Sequence, residues 1–468
     1  MEPQPLQRHV SAFWDERVVP ALFEFIRIPN ESPAFDKAWR ANGHMERAVR
    51  LAADWVTAQG LEGCRAEVLR NDGRTPLLLV EVAPRGAGSA LIYGHLDKQP
   101  PMAGWREGLG PWTPVLDAQG RLYGRGAADD GYSVFAAVAA LQALQARGAP
   151  HPRAVMLIEC SEESGSPDLS SYLASAASTI GEPGLVLCLD SGGGDYERLW
   201  CTTSLRGLVT ATLTVGVLSE GVHSGMAGGI VPSPLRILRH LLDRLEDPGT
   251  GEILPREFHV PIPSPRIAQA EQAAETLGPN VVKDFPFLAG VRPMSDSVAE
   301  LILASSWRAS LAITAQEGMP NLEQGGNVLL PEIKVKLSLR IPPTLSPAVA
   351  SGALKRVLEA DPPYGAKVTL SGGGMSGWEA PPLAPWLDEA WAGASREFFG
   401  QEARFFGAGG SIPFMEMIGK RFPKAQFLTT GVLGPHSNAH GPNEFLHVPY
   451  AKRLTCALAR VMQACAGQ

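Results

Sequence analysis

The chain has 468 residues, 45% of them hydrophobic and 19% charged, a globular composition far from that of disordered chains. At about 100–200 residues per domain, this length predicts two or three domains. Lys and Arg number 41 against 48 Asp and Glu, a formal net charge of −7, so no cationic excess is available for nucleic-acid phosphates.

The first residues, Met1-Glu2-Pro3-Gln4-Pro5, have no basic cluster followed by an apolar run, and no secretory signal is expected. No stretch approaches the roughly 18 uninterrupted apolar residues of a membrane span. The longest apolar run, Val134 to Leu144, is Ala-rich, is interrupted by Gln142, and reads as a buried core helix. Cys64, Cys160, Cys188, Cys201, Cys456 and Cys465 are scattered with no Cys-x-x-Cys pair. A cysteine zinc site is therefore not expected, and a reducing cytoplasm is the simplest fit.

In chain order, residues 77–82, 90–93, 154–158 and 185–189 read as short apolar strands, and 133–147 as a helix closed by Gly148. Near-continuous apolar runs suit strands covered on both faces, so the class is α/β with a mostly parallel or mixed sheet. Near Arg206 the pattern changes. Residues 208–215 partly alternate, 232–245 look helical, 255–265 are Pro-rich and irregular, and 333–340 alternate cleanly between apolar and polar. Such alternation suits an antiparallel sheet with one wet face. After Pro385 the first character returns, with a helix at 386–398, a strand at 426–430 and a terminal helix at 450–465. The expected organisation is a discontinuous first domain, 1–205 and 384–468, interrupted by a second at 206–383.

Five segments place metal-ligand residue types just after these strands or in loops near them, where ligands bind in open α/β sheets. Gly94-His95-Leu96-Asp97 puts His95 and Asp97 on one side of an extended segment. Gly124-Arg125-Gly126-Ala127-Ala128-Asp129-Asp130-Gly131 lacks the third Gly of a dinucleotide fingerprint. There Asp130 suits the N-cap of the following helix, which leaves Asp129 as the candidate ligand. Glu162 and Glu163 follow an apolar strand and repel one another unless a cation or proton compensates. One of them suits a metal ligand and the other a general base. Asp190 ends an apolar run before Gly192-Gly193-Gly194, and His436 and His440 share a late loop. Each segment alone is an ordinary turn. Together, two His and three carboxylates can build a pair of metal sites that share one carboxylate. No Gly-x-Ser-x-Gly elbow is present, which argues against a serine hydrolase.

In these motifs, together with Glu162-Glu163-Ser164-Gly165-Ser166 and His440-Gly441-Pro442-Asn443-Glu444, the chain resembles a dizinc metallopeptidase family. That family (peptidase family M twenty) contains carnosine dipeptidases, succinyl-diaminopimelate desuccinylase, carboxypeptidase G and aminoacylase. The resemblance implies a phosphorylase/hydrolase-like mixed-sheet catalytic domain with an inserted α+β lid and dimerisation domain, built on a ferredoxin-like antiparallel sheet. It implies two divalent metals, zinc foremost with manganese or cobalt as alternatives. His95 and Asp190 would bind one, Glu163 and His440 the other, with Asp129 bridging. Glu162 would be the general base for a metal-bridging water, and Asp97 would orient His95. His223 would reach the neighbouring subunit of a homodimer and stabilise the oxyanion there. Asn327, Arg340 and Ser411 would contact the substrate. Two segments depart from the family pattern: Gly131 and Tyr132 stand where many members carry a Lys, and Asp190-Ser191-Gly192 differs from the carnosinase pattern. The implied activity is hydrolysis of an amide bond next to a free carboxylate, by a dipeptidase first and an N-acyl-amino-acid deacylase or desuccinylase second. The rival of another class is a catalytically silent metal- or amino-acid-binding protein. Small peptides or N-acyl amino acids are the expected partners, with no nucleic acid and no membrane.

Overall fold

A computed structural model describes residues 3–283 and 285–468. Met1 and Glu2, part of the N-terminal stretch read above, lie outside them. The chain first lays down β1 (Cys64–Leu69), β2 (Leu77–Val82), β3 (Ser89–His95), β4 (Arg153–Glu159), β5 (Leu185–Cys188) and β6 (Trp200–Leu205). It then leaves that sheet for β7 (Gly207–Gly216), β8 (Ser310–Glu317), β9 (Glu332–Ile341) and β10 (Lys367–Met375). It returns with β11 (Trp378–Glu379), β12 (Arg404–Ala408) and β13 (Gln426–Thr429).

The large sheet has nine strands in the order β1-β2-β4-β3-β5-β13-β6-β11, with β12 also pairing β6. It is mixed: β4, β3, β5 and β13 run parallel, and the remaining pairs except β12–β6 are antiparallel. Its strands β2, β3, β4 and β5 are apolar along most of their length, as strands covered on both faces are. The Ala-rich helix Tyr132–Gln145 is buried on nearly every side. It packs against the terminal helix Val448–Cys465 and the N-terminal helices. Small side chains let these helices approach closely.

The smaller sheet is antiparallel throughout, in the order β8-β9-β7-β10. With helices Pro234–Leu242 after β7 and Pro347–Glu359 after β9, the succession is βαββαβ, the ferredoxin-like arrangement. The alternation in β7 and β9 turns Val209, Leu213, Val215, Val335, Leu337 and Leu339 inward against those two helices.

Three local readings differ from the sequence expectation. The Pro-rich stretch 255–265 ends in a helix, Ser264–Leu277, with Pro265 in its first turn where no N–H is missed. This helix and Val298–Ser306 pack on β12 rather than on the small sheet. Ala270, Ala273, Ile302, Leu303 and Trp307 share one cluster with Trp200. Asp130 does not cap the following helix, which begins at Tyr132 with no side-chain cap. The Asp130 carboxylate instead accepts the backbone N–H of His95 at 3.2 Å. One oxygen of this buried acid is thus engaged by the neighbouring strand end rather than by the helix it precedes. Among the described residues no helix is long and apolar enough to cross a membrane.

Candidate metal centre and active site

Parallel pairing aligns the carboxyl ends of β3, β4 and β5. His95 lies opposite Glu159, and Tyr93 opposite Cys188. The segments that leave these ends therefore open onto one edge of the sheet. His95 is the last residue of β3, Glu162 and Glu163 follow β4, and Asp190 follows β5 by two residues. The turn 124–131 before the buried helix brings Asp129, and the loop after β13 brings His440.

The His95 ring is fully buried, and its Nδ1–H donates to the Asp97 carbonyl oxygen at 3.0 Å. Its Nε2 therefore faces outward, 3.3 Å from Asp129 Oδ1 and 3.9 Å from Asp190 Oδ1. The other Asp129 oxygen, Oδ2, lies 3.0 Å from His440 Nε2, which is 3.4 Å from Glu163 Oε2. Two groups result: His95, Asp129 and Asp190, and Asp129, Glu163 and His440, with candidate ligand atoms in each within 4.8 Å of one another. Asp129 belongs to both. Nitrogen and carboxylate oxygen donors of this kind fit zinc and similar divalent ions. Asp97 works from behind. Its two oxygens accept the N–H groups of Glu162 and Glu163 at 3.0 Å each, and Oδ1 lies 3.4 Å from His95 Nδ1.

His440 has a left-handed φ of 65°, as do His436, Asn438 and Asn443 in the same loop, at 62°, 52° and 63°. Backbone of this kind persists where the surroundings over-determine it. Here Arg125 and Glu444 do so. Their ion pair, 2.7 Å long, is almost completely buried. Glu444 also accepts N–H groups from Gly126, Ala128 and Asp129, while Arg125 donates to the carbonyls of Gly441 and Pro100. One pair thus ties the loops of Asp97, Asp129 and His440 together. Both residues lie in the quoted motifs, but no spacing signal joins positions so far apart. Gln99 also escaped the sequence reading; its Nε2 donates to Glu163 Oε2 at 2.5 Å.

Burial pushes Glu163 and Asp190 upward in proton affinity, and the neighbouring Asp129 charge adds to it. Glu162 is pushed up to about 8 by burial, against the pull of His95. Burial would raise Asp129 too, but the hydrogen bonds of His440 and His95 hold it below the usual carboxylate range. Burial disfavours the His440 cation, yet its bond to Asp129 carries it up to about 9.

A cleft of about 390 Å³ opens over these groups and includes Asp129, Glu162, Asp190, His440 and Ser411 in its lining. Ser411 is 3.4 Å from Arg340 Nη1, which does not itself line the cleft, and donates its hydroxyl to the Arg206 carbonyl. His223 and Asn327 lie elsewhere. His223 is exposed on a two-stranded ribbon, Val222–His223 against Val328–Leu329, Asn327 is exposed just before its second strand, and neither lines the cleft of its own chain. A larger hollow of about 970 Å³ lies near the junction of the two sheets and holds neither metal-ligand group.

A mixed sheet carrying paired His–carboxylate groups at its strand ends, beside a ferredoxin-like unit, defines a metal-dependent hydrolase. Residues 91–464 match Peptidase family M20/M25/M40, and the chain belongs to that family. It is similar to a cysteinylglycine-S-conjugate dipeptidase of Corynebacterium striatum, 27% identical over 461 residues, spanning 93% of this chain and 94% of the relative. It is similar also to the Beta-Ala-His dipeptidase of Rattus norvegicus, 28% identical over 385 residues, at 76% and 73% coverage. The fold matches the crystal structure of human carnosine dipeptidase 1 with a TM-score of 0.76 at 22% identity, over 99% of this chain and 98% of that one.

Replacing Glu444 by Ala leaves Arg125 buried without its anion, and should cost about 3–5 kcal/mol in urea unfolding. A metal ion held by the two candidate groups would displace protons from His95, Glu163, Asp190 and His440. Affinity for zinc should therefore rise with pH up to about 9, where His440 loses its proton unaided. Calorimetry in buffers of different ionisation enthalpy should show net proton release near neutral pH.

Proposed function

We propose that the protein is a dipeptidase that cleaves an amide bond next to a free carboxylate, with Glu162 as general base. The observation that carries this reading is that Glu162 lines the same cleft as Asp129, Asp190 and His440. His95, Asp129 and Asp190 would hold one divalent ion and Asp129, Glu163 and His440 the other, zinc foremost, with manganese or cobalt as alternatives. Such ions supply Lewis acidity towards the amide carbonyl and acidify water. Glu162 takes the proton of the attacking water and delivers it to the leaving nitrogen. Its raised proton affinity suits it to hold that proton between the two transfers. Asp97 fixes both the His95 ring and the backbone of the glutamate pair, so ligand and base keep their spacing. Ser411 in the cleft and Arg340 beside it receive the substrate carboxylate, for which a guanidinium fork is well shaped. Both curated relatives described above carry dipeptidase in their names.

The exposed His223–Asn327 ribbon fits a homodimer in which the partner subunit's His223 completes the oxyanion site and Asn327 contacts the substrate. We place the lid and dimerisation function in the unit built on β7 to β10. The six free cysteines suit a reducing, cytoplasmic setting.

Glu162→Ala should fold, retain metal by elemental analysis, and lose about 10²–10⁴-fold in kcat on Xaa-Gly dipeptides; full turnover would exclude the mechanism. Mixing Glu162→Ala with His223→Ala subunits should restore about a quarter of wild-type activity, since half of the random dimers hold one complete site. No recovery would place His223 outside the partner's site.

A further inference from the structure

The hollow of about 970 Å³ lies where the core of the small sheet and the helices packed on β12 leave a gap between them. Ile253 and Phe258 on its wall belong to the small-sheet core, and Val281 and Trp307 to the cluster around Trp200. We propose that this hollow binds a small amphiphile, an alkyl chain ending in one carboxylate, with the carboxylate on Arg206. The site holds none of the candidate metal ligands and does not depend on the dipeptidase reading.

Arg206 selects the carboxylate. It lines the hollow and is only 8% exposed, yet no Asp or Glu pairs with it among the described residues. The other charges on the wall are answered. Arg308 pairs with Glu300 at 2.5 Å, and Glu252 lies 4.0 Å from His259 Nδ1. Arg206 Nη1 donates to the carbonyls of Ala304 and Arg308 at 3.3 Å each and to the Ser310 hydroxyl at 2.9 Å. Its Nε donates to the Gly409 carbonyl at 3.4 Å, and its Nη2 donates to no acceptor among the described residues. Neutral carbonyls orient a guanidinium without neutralising it. Burial works against this cation, and the nearby Arg340 charge adds to that. A buried charge left unpaired is costly, and a charge-assisted bond to an anion relieves it.

The rest of the wall calls for hydrocarbon. Val260, Ile262 and Leu301 are only half-buried there, and Phe285, Phe287 and Met294 are exposed. Large apolar side chains left uncovered around one concavity mark a ligand site. An alkyl chain seated on them leaves water, and so do they. A cationic head would meet the guanidinium with like charge, and a neutral one would leave it without an anion.

The test is calorimetric titration of the full chain with decanoate and with decan-1-ol, which share an alkyl chain and differ in charge. Decanoate should bind about tenfold or more tightly than decan-1-ol. Arg206→Gln should erase that difference by weakening decanoate alone. Ser305 is an exposed residue on the same wall. Ser305→Trp crowds the hollow and should weaken decanoate by about tenfold, which keeps the test open if Arg206→Gln does not fold. Equal affinity for the two probes, or no binding of decanoate at millimolar concentration, would overturn the inference. Decanoate affinity unchanged in a folded Ser305→Trp variant would overturn it too, because the probe would then sit elsewhere, such as on the metal groups.

Discussion

The structure around the cleft is governed by the crowding of carboxylates out of water. Asp97, Asp129, Asp130, Glu159 and Glu444 are all buried, and Glu162, Glu163 and Asp190 stand beside them. Each buried carboxylate costs several kcal/mol unless compensated. Most are compensated by the protein itself. Asp97 takes two backbone N–H groups, and Glu444 takes an arginine and three more. Glu159 accepts the hydroxyls of Tyr93, Ser161 and Ser166, and burial moves it up to about 7. Asp129, Glu163 and Asp190 gather instead around histidine nitrogens at the mouth of the cleft. The fold sorts its acids into those it satisfies internally and those that call for a cation.

That sorting depends on topology. Parallel strands deliver His95, the glutamate pair and Asp190 to one edge because their registers match there. The loop after the parallel strand β13 then brings His440 over them. The two sheets meet at Arg206, which lies between β6 and β7. Its guanidinium is held by the carbonyls of Ala304 and Arg308 and the hydroxyl of Ser310, while its own carbonyl accepts from Ser411. The residue joining the two sheets is thus also bonded to the cleft's edge.

Much of this was legible in the sequence because strands covered on both faces announce themselves as apolar runs, and the candidate ligands sit just beyond them. The clean alternation of 333–340 likewise revealed β9. What could not be read was non-local. Asp130 has the residue type and position of an N-cap, yet the His95 backbone claimed it through a contact 35 residues away in sequence. The helices Ser264–Leu277 and Val298–Ser306 lie between strands of the small sheet but belong by packing to the large one, because Trp200 and Phe406 offer them an apolar surface. The Arg125–Glu444 pair has no periodic or spacing signature at all.

That pair joins residues 319 positions apart, and this sets an order of assembly. A chain emerging from the ribosome presents β3, the Asp129 turn and the buried helix long before His440 and Glu444 exist. Until the last segment docks, Arg125 lacks its anion, and the N–H groups of Gly126 and Ala128 lack the acceptor they have in the finished protein. Contacts of such sequence separation form late and slowly. The candidate metal centre is therefore sealed from the C-terminal end, and the closing of the loop that carries His440 is also the closing of the fold.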